Sequence, residues 1–180
     1  MRILLTGAAS RLGRALTAAL VEDQHQLRLV DAVPVEPPHR GEAIVAELTD
    51  TDAVWRAVRG VEAVIHTGQP WGTLPAAGPE RDAGLLDQAT RGTHVVCKAA
   101  VEAGVRRIVY GGTLDLFRPY PAHHYLSEMW RPLPTTDMLP LSRYLGELTC
   151  REFARDHLVT ITALRLGNLA LEEEVVGQEP

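Results

Sequence analysis

Three small residues, Gly7, Ser10 and Gly13, stand at the spacing G-x-x-S-x-x-G within the segment TGAASRLG. Small residues at such a turn let the chain reverse tightly and let backbone N–H groups approach a pyrophosphate. They also let the following helix pack closely on the strand before it. Serine keeps the position small, and its hydroxyl could itself hydrogen-bond a phosphate. Further along, about 20 residues past the turn, Asp31 closes the apolar run LRLV. A carboxylate there accepts from adenosine ribose hydroxyls and repels a 2′-phosphate, which points to NAD, with NADP the poorer ligand. Plainer readings stand beside these: glycines that only turn the chain, and an aspartate that only ends a strand.

These residues need a strand, a turn and a helix to place them, and the sequence supplies that order. Ile3-Leu4-Leu5 reads as a strand that stops at Thr6-Gly7. Leu12, Ala15, Leu16, Ala19 and Leu20 recur at helical spacing from Arg11 until the helix fades near Glu22-Asp23. The helix N-terminus brings N–H groups and a positive dipole end to the turn. Gln26–Val30, Ala43–Ala46, Val61–His66, Val105–Tyr110 and Val159–Leu166 read as further strands. Helices are expected after Thr49 or Asp50 as N-cap and up to Arg59-Gly60, from Glu80 to Gly104, where glycine ends the helix, and from Ser142 to His157. Strands alternating with helices in this way imply an α/β fold: a Rossmann-type, doubly wound parallel sheet of six strands with helices on both faces. Residues 1–171 form the NAD-binding domain on this reading, and residues 172–180 an acidic tail.

Hydrophobic residues make up 46% of the 180 residues and charged residues 23%, an ordinary globular balance. A net charge of −5 without any Lys/Arg block argues against nucleic acid or an anionic membrane as partner. No apolar run reaches the roughly 18 residues of a membrane span, so a cytoplasmic setting is the expectation. Cys97 and Cys150 lack metal-ligand spacing and read as buried free thiols, and no metal site is expected.

The motifs together resemble the extended short-chain dehydrogenase/reductases, in particular the NAD-dependent epimerase/dehydratase group. The resemblance covers Met1 to about Leu171 and rests on seven segments. These are Thr6–Gly13, ELTD (Glu47–Asp50), VIH (Val64–His66), RGT (Arg91–Thr93), GVRRIVYGGT (Gly104–Thr113), SRYLGE (Ser142–Glu147) and LRLGN (Leu164–Asn168). It implies that Arg11 and Leu12 present N–H groups to the pyrophosphate, that Asp31 holds the adenosine ribose, and that Glu47 and Leu48 flank the adenine. Thr67, Gly68 and Gln69 would line the cofactor after the fourth strand. Thr113 would orient the substrate oxygen and Asn168 would contact substrate. Family members commonly dimerise through the helices matching Glu80–Gly104 and Ser142–His157, so a homodimer is expected. They also carry a substrate domain after Asn168, mostly beyond where this sequence stops.

The family's chemistry uses a tyrosine that exchanges a proton with a substrate hydroxyl and a lysine four residues later. Aligning Gly146-Glu147 with the family's Gly-Glu places Leu139 at the tyrosine and Arg143 at the lysine. Taking Tyr144 as the tyrosine places Leu148 at the lysine and displaces that Gly-Glu pair. The first register needs no gap, and in it Arg143 anchors the nicotinamide ribose while Leu139 cannot carry a proton. Guanidinium is not a simple substitute for ammonium. Tyr120 and Tyr125 are candidate replacement phenols, His123-His124 a candidate acid–base pair, and Tyr110 and His66 candidate core residues. The leading functional expectation is an oxidoreductase of the epimerase/dehydratase type, exchanging hydride between NAD and a sugar or sugar nucleotide. The alternative is a non-catalytic NAD sensor or interaction module.

Overall fold

The computed structural model describes residues 1–67, 74–156 and 159–170. Six strands form one sheet in the order β3-β2-β1-β4-β5-β6. They are β1 (Arg2–Thr6), β2 (Gln26–Asp31), β3 (Glu42–Val45), β4 (Ala63–His66), β5 (Arg107–Thr113) and β6 (Thr160–Leu166), and every pairing is parallel. The helices are α1 (Arg11–Glu22), α2 (Thr51–Val58), α3 (Pro79–Asp87), α4 (Thr93–Glu102) and α5 (Met138–Arg155). The Rossmann-type architecture expected from the sequence is present. The strand order reverses between β1 and β4, and the crevice above that point is where ligands sit in open parallel sheets.

Alternation along the strands sorts the core into two layers. Ile3, Leu5, Leu27 and Leu29 face α1, where Leu16 and Leu20 cover them. Leu4, Val30, Val64 and Ile108 face the opposite layer with Val54 and Val58 of α2, Val96 and Cys97 of α4, and Cys150 of α5. Only part of the expected apolar face of α1 is buried: Ala15 and Ala19 are exposed, while Gly13 is buried and Leu12, Leu16 and Leu20 are half-buried. A small helix residue is as easily left in water as covered, so alanines mark the face poorly.

Helix boundaries differ from the sequence reading in two places, each for a local reason. The segment expected as one helix from Glu80 to Gly104 is α3 and α4 joined by a π-helical turn at Gln88–Gly92. Helix α5 begins at Met138, ahead of the expected Ser142, because Asp137 caps it by accepting from the Leu139 N–H. Pro140 fits its first turn, where the missing N–H would have no intrahelical acceptor. The expected stops hold elsewhere: Asp50 accepts from Ala53 N–H at 3.0 Å to start α2. Gly104, at φ +77°, closes the chain after α4.

One row of side chains ties the sheet to its helices. Thr6, His66 and Tyr110 are register partners on β1, β4 and β5, so they share a face near the strand ends. Thr6 Oγ1 lies 2.7 Å from His66 Nδ1, and His66 Nε2 lies 3.0 Å from Thr93 Oγ1 at the start of α4. The Tyr110 ring meets His66 edge-on at 5.4 Å, and its hydroxyl donates to the Arg143 carbonyl of α5 at 3.1 Å. A methyl group on Gly146 would fall on the Tyr110 hydroxyl, which is why that helix position is glycine.

Candidate functional site

The first turn follows from Gly7 and Gly13. Gly7 has φ +70°, a left-handed conformation that costs other residues more, and its N–H donates to Val30 O at 3.0 Å. A methyl on Gly13 would overlap the Gly7 carbonyl oxygen and lie 2.7 Å from both Cα and O of Ala8. The third small residue therefore lets α1 sit directly on the turn. Ser10 is the N-cap of α1: its hydroxyl accepts from Gly13 N–H at 2.9 Å and donates to Gly7 O at 2.7 Å. That single proton is committed to the loop. Ser10 thus shapes the turn through both of these bonds. The first turn of α1 contains no acidic residue, so its positive end faces the crevice unopposed by its own side chains.

Asp31 is buried at the end of β2, and its carboxylate holds the same loop. Oδ2 accepts from Ala9 N–H at 2.8 Å and Oδ1 from Val33 N–H at 3.2 Å. A carboxylate has about four acceptor positions, so two remain for a diol. Asp31 lines a recess with Gly7, Ala32, Glu47, Leu48 and Gln88. Gln88 donates to Glu47 across that recess, which is how the π-helical turn reaches the site. The three residues assigned to the adenosine end, Asp31, Glu47 and Leu48, thus come together.

On the other side of the α1 N-terminus lies a cavity of about 250 Å³. Arg11 and Leu12 of α1, Thr67 after β4, Thr113 on β5, Arg143 on α5 and Asn168 after β6 all line it. Gly111 and Gly112 add bare backbone, and Leu139 contributes an apolar patch. The predicted cofactor residues Gly68 and Gln69 lie outside the described residues, as does the expected acidic tail at 172–180. Residues four apart on a helix share a face, so Leu139 and Arg143 present themselves together beside Thr113. This is the arrangement expected of the register that sets Leu139 at the tyrosine and Arg143 at the lysine.

Arg143 is 5% exposed, and its Nη1 donates to Thr67 O at 2.9 Å and Gly111 O at 3.1 Å. Burial lowers the affinity of its guanidinium for the proton, an effect that Tyr110 opposes. No buried side-chain nitrogen or oxygen among the described residues lacks a hydrogen-bond partner. Arg143 also lines the cavity. Thr113 Oγ1 accepts from Asp115 N–H at 3.1 Å, which leaves its proton to donate.

The other candidate groups serve the frame. His66 is fully buried between Thr6 and Thr93, and burial, with Arg143 nearby, lowers its pKa to about 3. It is neutral and structural. Tyr110 is buried and its phenol pushed far up by desolvation, so it is core as expected. Tyr120 donates to Arg131 O at 3.0 Å, and Tyr125 is 96% exposed. Neither phenol lines the cavity, nor do the stacked and exposed His123 and His124. Cys97 and Cys150 are buried free thiols with sulfurs 4.0 Å apart.

Two groups escaped the sequence reading. Gln88 sits in a turn that periodicity reads as plain helix. Asp115 lines the cavity from a short 3₁₀ turn, Leu114–Phe117, and pairs through Oδ1 with Arg118 at 2.8 Å. Its only sequence signal is a place two residues past Thr113, at the C-terminal end of a parallel strand.

The sequence profile of the NAD dependent epimerase/dehydratase family matches residues 3–178. The chain belongs to that family. Among its relatives, NAD-dependent glucose-6-phosphate dehydrogenase of Haloferax volcanii is 29% identical over 93% of this chain and 68% of its own length. Uronate dehydrogenase of Pseudomonas putida is 37% identical over 93% of this chain and 60% of its own. A short-chain dehydrogenase/reductase superfamily protein of Agrobacterium tumefaciens, solved with bound NAD, superposes with a TM-score of 0.78. It is 30% identical, covering 92% of this chain and 48% of that one. The chain therefore spans roughly half to two thirds of the length of these family members. Among the described residues no helix is long and apolar enough to cross a membrane, and no group of His, Cys, Asp and Glu could hold a metal ion.

Proposed function

We propose that this chain binds NAD across the β1/β4 crevice and forms the dinucleotide half of an oxidoreductase. Its substrate would be a sugar or sugar nucleotide, with a hydroxyl oxidised at the Thr113 cavity. The observation that carries the reading is the placement of two recesses on either side of one helix N-terminus. Asp31, Glu47 and Leu48 line the first, and Thr113, Arg143 and Asn168 the second. A dinucleotide has two nucleoside ends joined by a pyrophosphate, and this layout offers a place to each. Bound NAD supplies the hydride acceptor. The relatives named for glucose 6-phosphate and uronate support a sugar-class substrate.

The chain's own residues divide the remaining work. Asp31 accepts from the adenosine ribose with the lone pairs that the loop leaves open. Arg143, fixed by two carbonyls, donates from its remaining N–H groups to the nicotinamide ribose. Thr113 donates its hydroxyl proton to the substrate oxygen, and Asn168 contacts the substrate. Leu139 supports a second reading, a cofactor-binding module without turnover, because a leucine cannot take up a proton.

Calorimetric titration with NAD and NADP, followed by NAD reduction with glucuronate, galacturonate, glucose 6-phosphate and arabinose, tests both readings. Micromolar NAD with at least tenfold weaker NADP is expected. Asp31→Ala is expected to weaken NAD tenfold or more, about 1.4 kcal/mol, and to narrow the gap between the two nucleotides. Equal affinities in the unaltered protein would refute the role of Asp31. NAD binding without turnover of any sugar would favour the second reading.

A further inference from the structure

We propose that Asp115 is the proton acceptor of this site, taking the part that Leu139 cannot play. The inference rests on the oxidoreductase reading above. It starts from what the cavity holds. Among the described residues that line it, Asp115 is the sole carboxylate, and the other polar side chains are two guanidiniums, two threonine hydroxyls and one carboxamide. None of those five accepts a proton at neutral pH. Among the described residues, the phenols and imidazoles elsewhere are either sealed in the core or outside the cavity.

Position and pairing suit the role. Asp115 N–H donates to Thr113 Oγ1 at 3.1 Å, so the aspartate and the threonine that would orient the substrate oxygen are held in one short turn. Arg118 Nε pairs with Oδ1 at 2.8 Å, which leaves Oδ2 to receive a proton. The Asp115 side chain is 35% exposed, so a proton delivered there passes on to water without a buried relay. The charged groups that pair with it or share its cavity are Arg118 on its own turn, Arg11 from α1 and Arg143 from α5.

The step balances as an alcohol oxidation. The substrate C–H bond breaks with its electron pair, and that hydride reduces bound NAD. The O–H bond breaks toward Asp115 Oδ2, and the C–O bond becomes a carbonyl. Asp115 then releases the proton to solvent.

The test uses Asp115→Asn, Asp115→Glu and the double variant Asp115→Asn with Leu139→Tyr, assayed against the four sugars named above. Calorimetric NAD affinity is measured in parallel. Asp115→Asn is expected to lower turnover at least 100-fold, while NAD affinity stays within about twofold, because Asp115 pairs with Arg118 and makes no bond to Arg143 or to the Asp31 recess. Asp115→Glu is expected to keep a measurable part of the rate. A phenol restored at position 139 is expected to recover at least tenfold of what Asp115→Asn loses, an effect that a purely structural aspartate would not give. Turnover by Asp115→Asn within threefold of the unaltered protein overturns the assignment and leaves the oxidoreductase reading intact. Absence of turnover by the unaltered protein on all four sugars, with NAD bound, overturns both.

Discussion

Replacing Gly13 by alanine separates an ordinary helix glycine from one on which the site is built. In an exposed helix interior, alanine gains about 1 kcal/mol over glycine. Here the added methyl overlaps the Gly7 carbonyl oxygen and approaches Ala8 Cα and O at 2.7 Å, all backbone atoms without a flexible end to swing aside. Relief requires α1 to lift from the turn. Overpacking of this kind costs about 3 kcal/mol, and the lift also stretches the Ser10–Gly13 cap, a bond worth about 1 kcal/mol. Set against the helix gain, the net loss is about 3 kcal/mol. For a domain of this size that lowers the thermal midpoint by about 6–12 °C. Urea unfolding followed by circular dichroism reads the loss, and NAD titration reads its local consequence, since the N–H groups that face the pyrophosphate move with the helix. A stability gain of about 1 kcal/mol, with NAD affinity unchanged, would refute the argument.

Two further outcomes follow from the buried polar groups. His66 has its pKa lowered from 6.5 to about 3 in the fold, so between those values the unfolded chain binds a proton that the folded chain refuses. Its contribution to stability is therefore present above about pH 6.5 and declines with acidification at up to about 1.4 kcal/mol per pH unit. Urea midpoints from pH 7 to pH 4 should fall along that slope, and His66→Gln should flatten it. Glu147 pairs with Arg165 through two bonds at 3.0 and 2.6 Å, with side chains 9% and 20% exposed. Glu147→Ala leaves that guanidinium half-buried beside Phe117 and is expected to cost about 2–3 kcal/mol in urea unfolding.

Much of this architecture was legible because it depends on patterns local to one element. The apolar runs of β1, β2, β4 and β5, the turn residues Gly7 and Gly13, and the caps Asp50 and Gly104 each announce a structure through neighbours in sequence. Asp31 stood out as a candidate because strand ends in this fold face the ligand. Its second task, holding Ala9 and Val33, was not legible, because hydrogen-bond partners across a loop leave no periodic mark. Ser10 was legible as a small turn residue with a hydroxyl, whereas its bond to Gly7 O, made across the turn, was not. Arg143 was placed through its register with Leu139, yet its anchoring on Thr67 and Gly111 depends on three elements meeting. The early start of α5 followed from Asp137, a cap hidden in a run of loop-forming residues.

The π-helical turn at Gln88–Gly92 bears on how this chain can vary in length. Each residue of an α-helix advances the face by about 100°, so an insertion or deletion inside a helix usually turns one half away from its core. A π-helical turn accommodates one additional residue and returns the following helix to its former phase. Leu85 before the turn and Val96 after it are both buried on this footing. Loss of a single residue between 88 and 92 would let α3 and α4 run as one regular helix, at the expense of the packing of the buried Ala89 and Gly92. What would disappear is the outward step that carries Gln88 to Glu47. Sequence length at this one helical position is thus coupled to the rim of the nucleotide recess, and to the buried Ala89 and Gly92 within the turn.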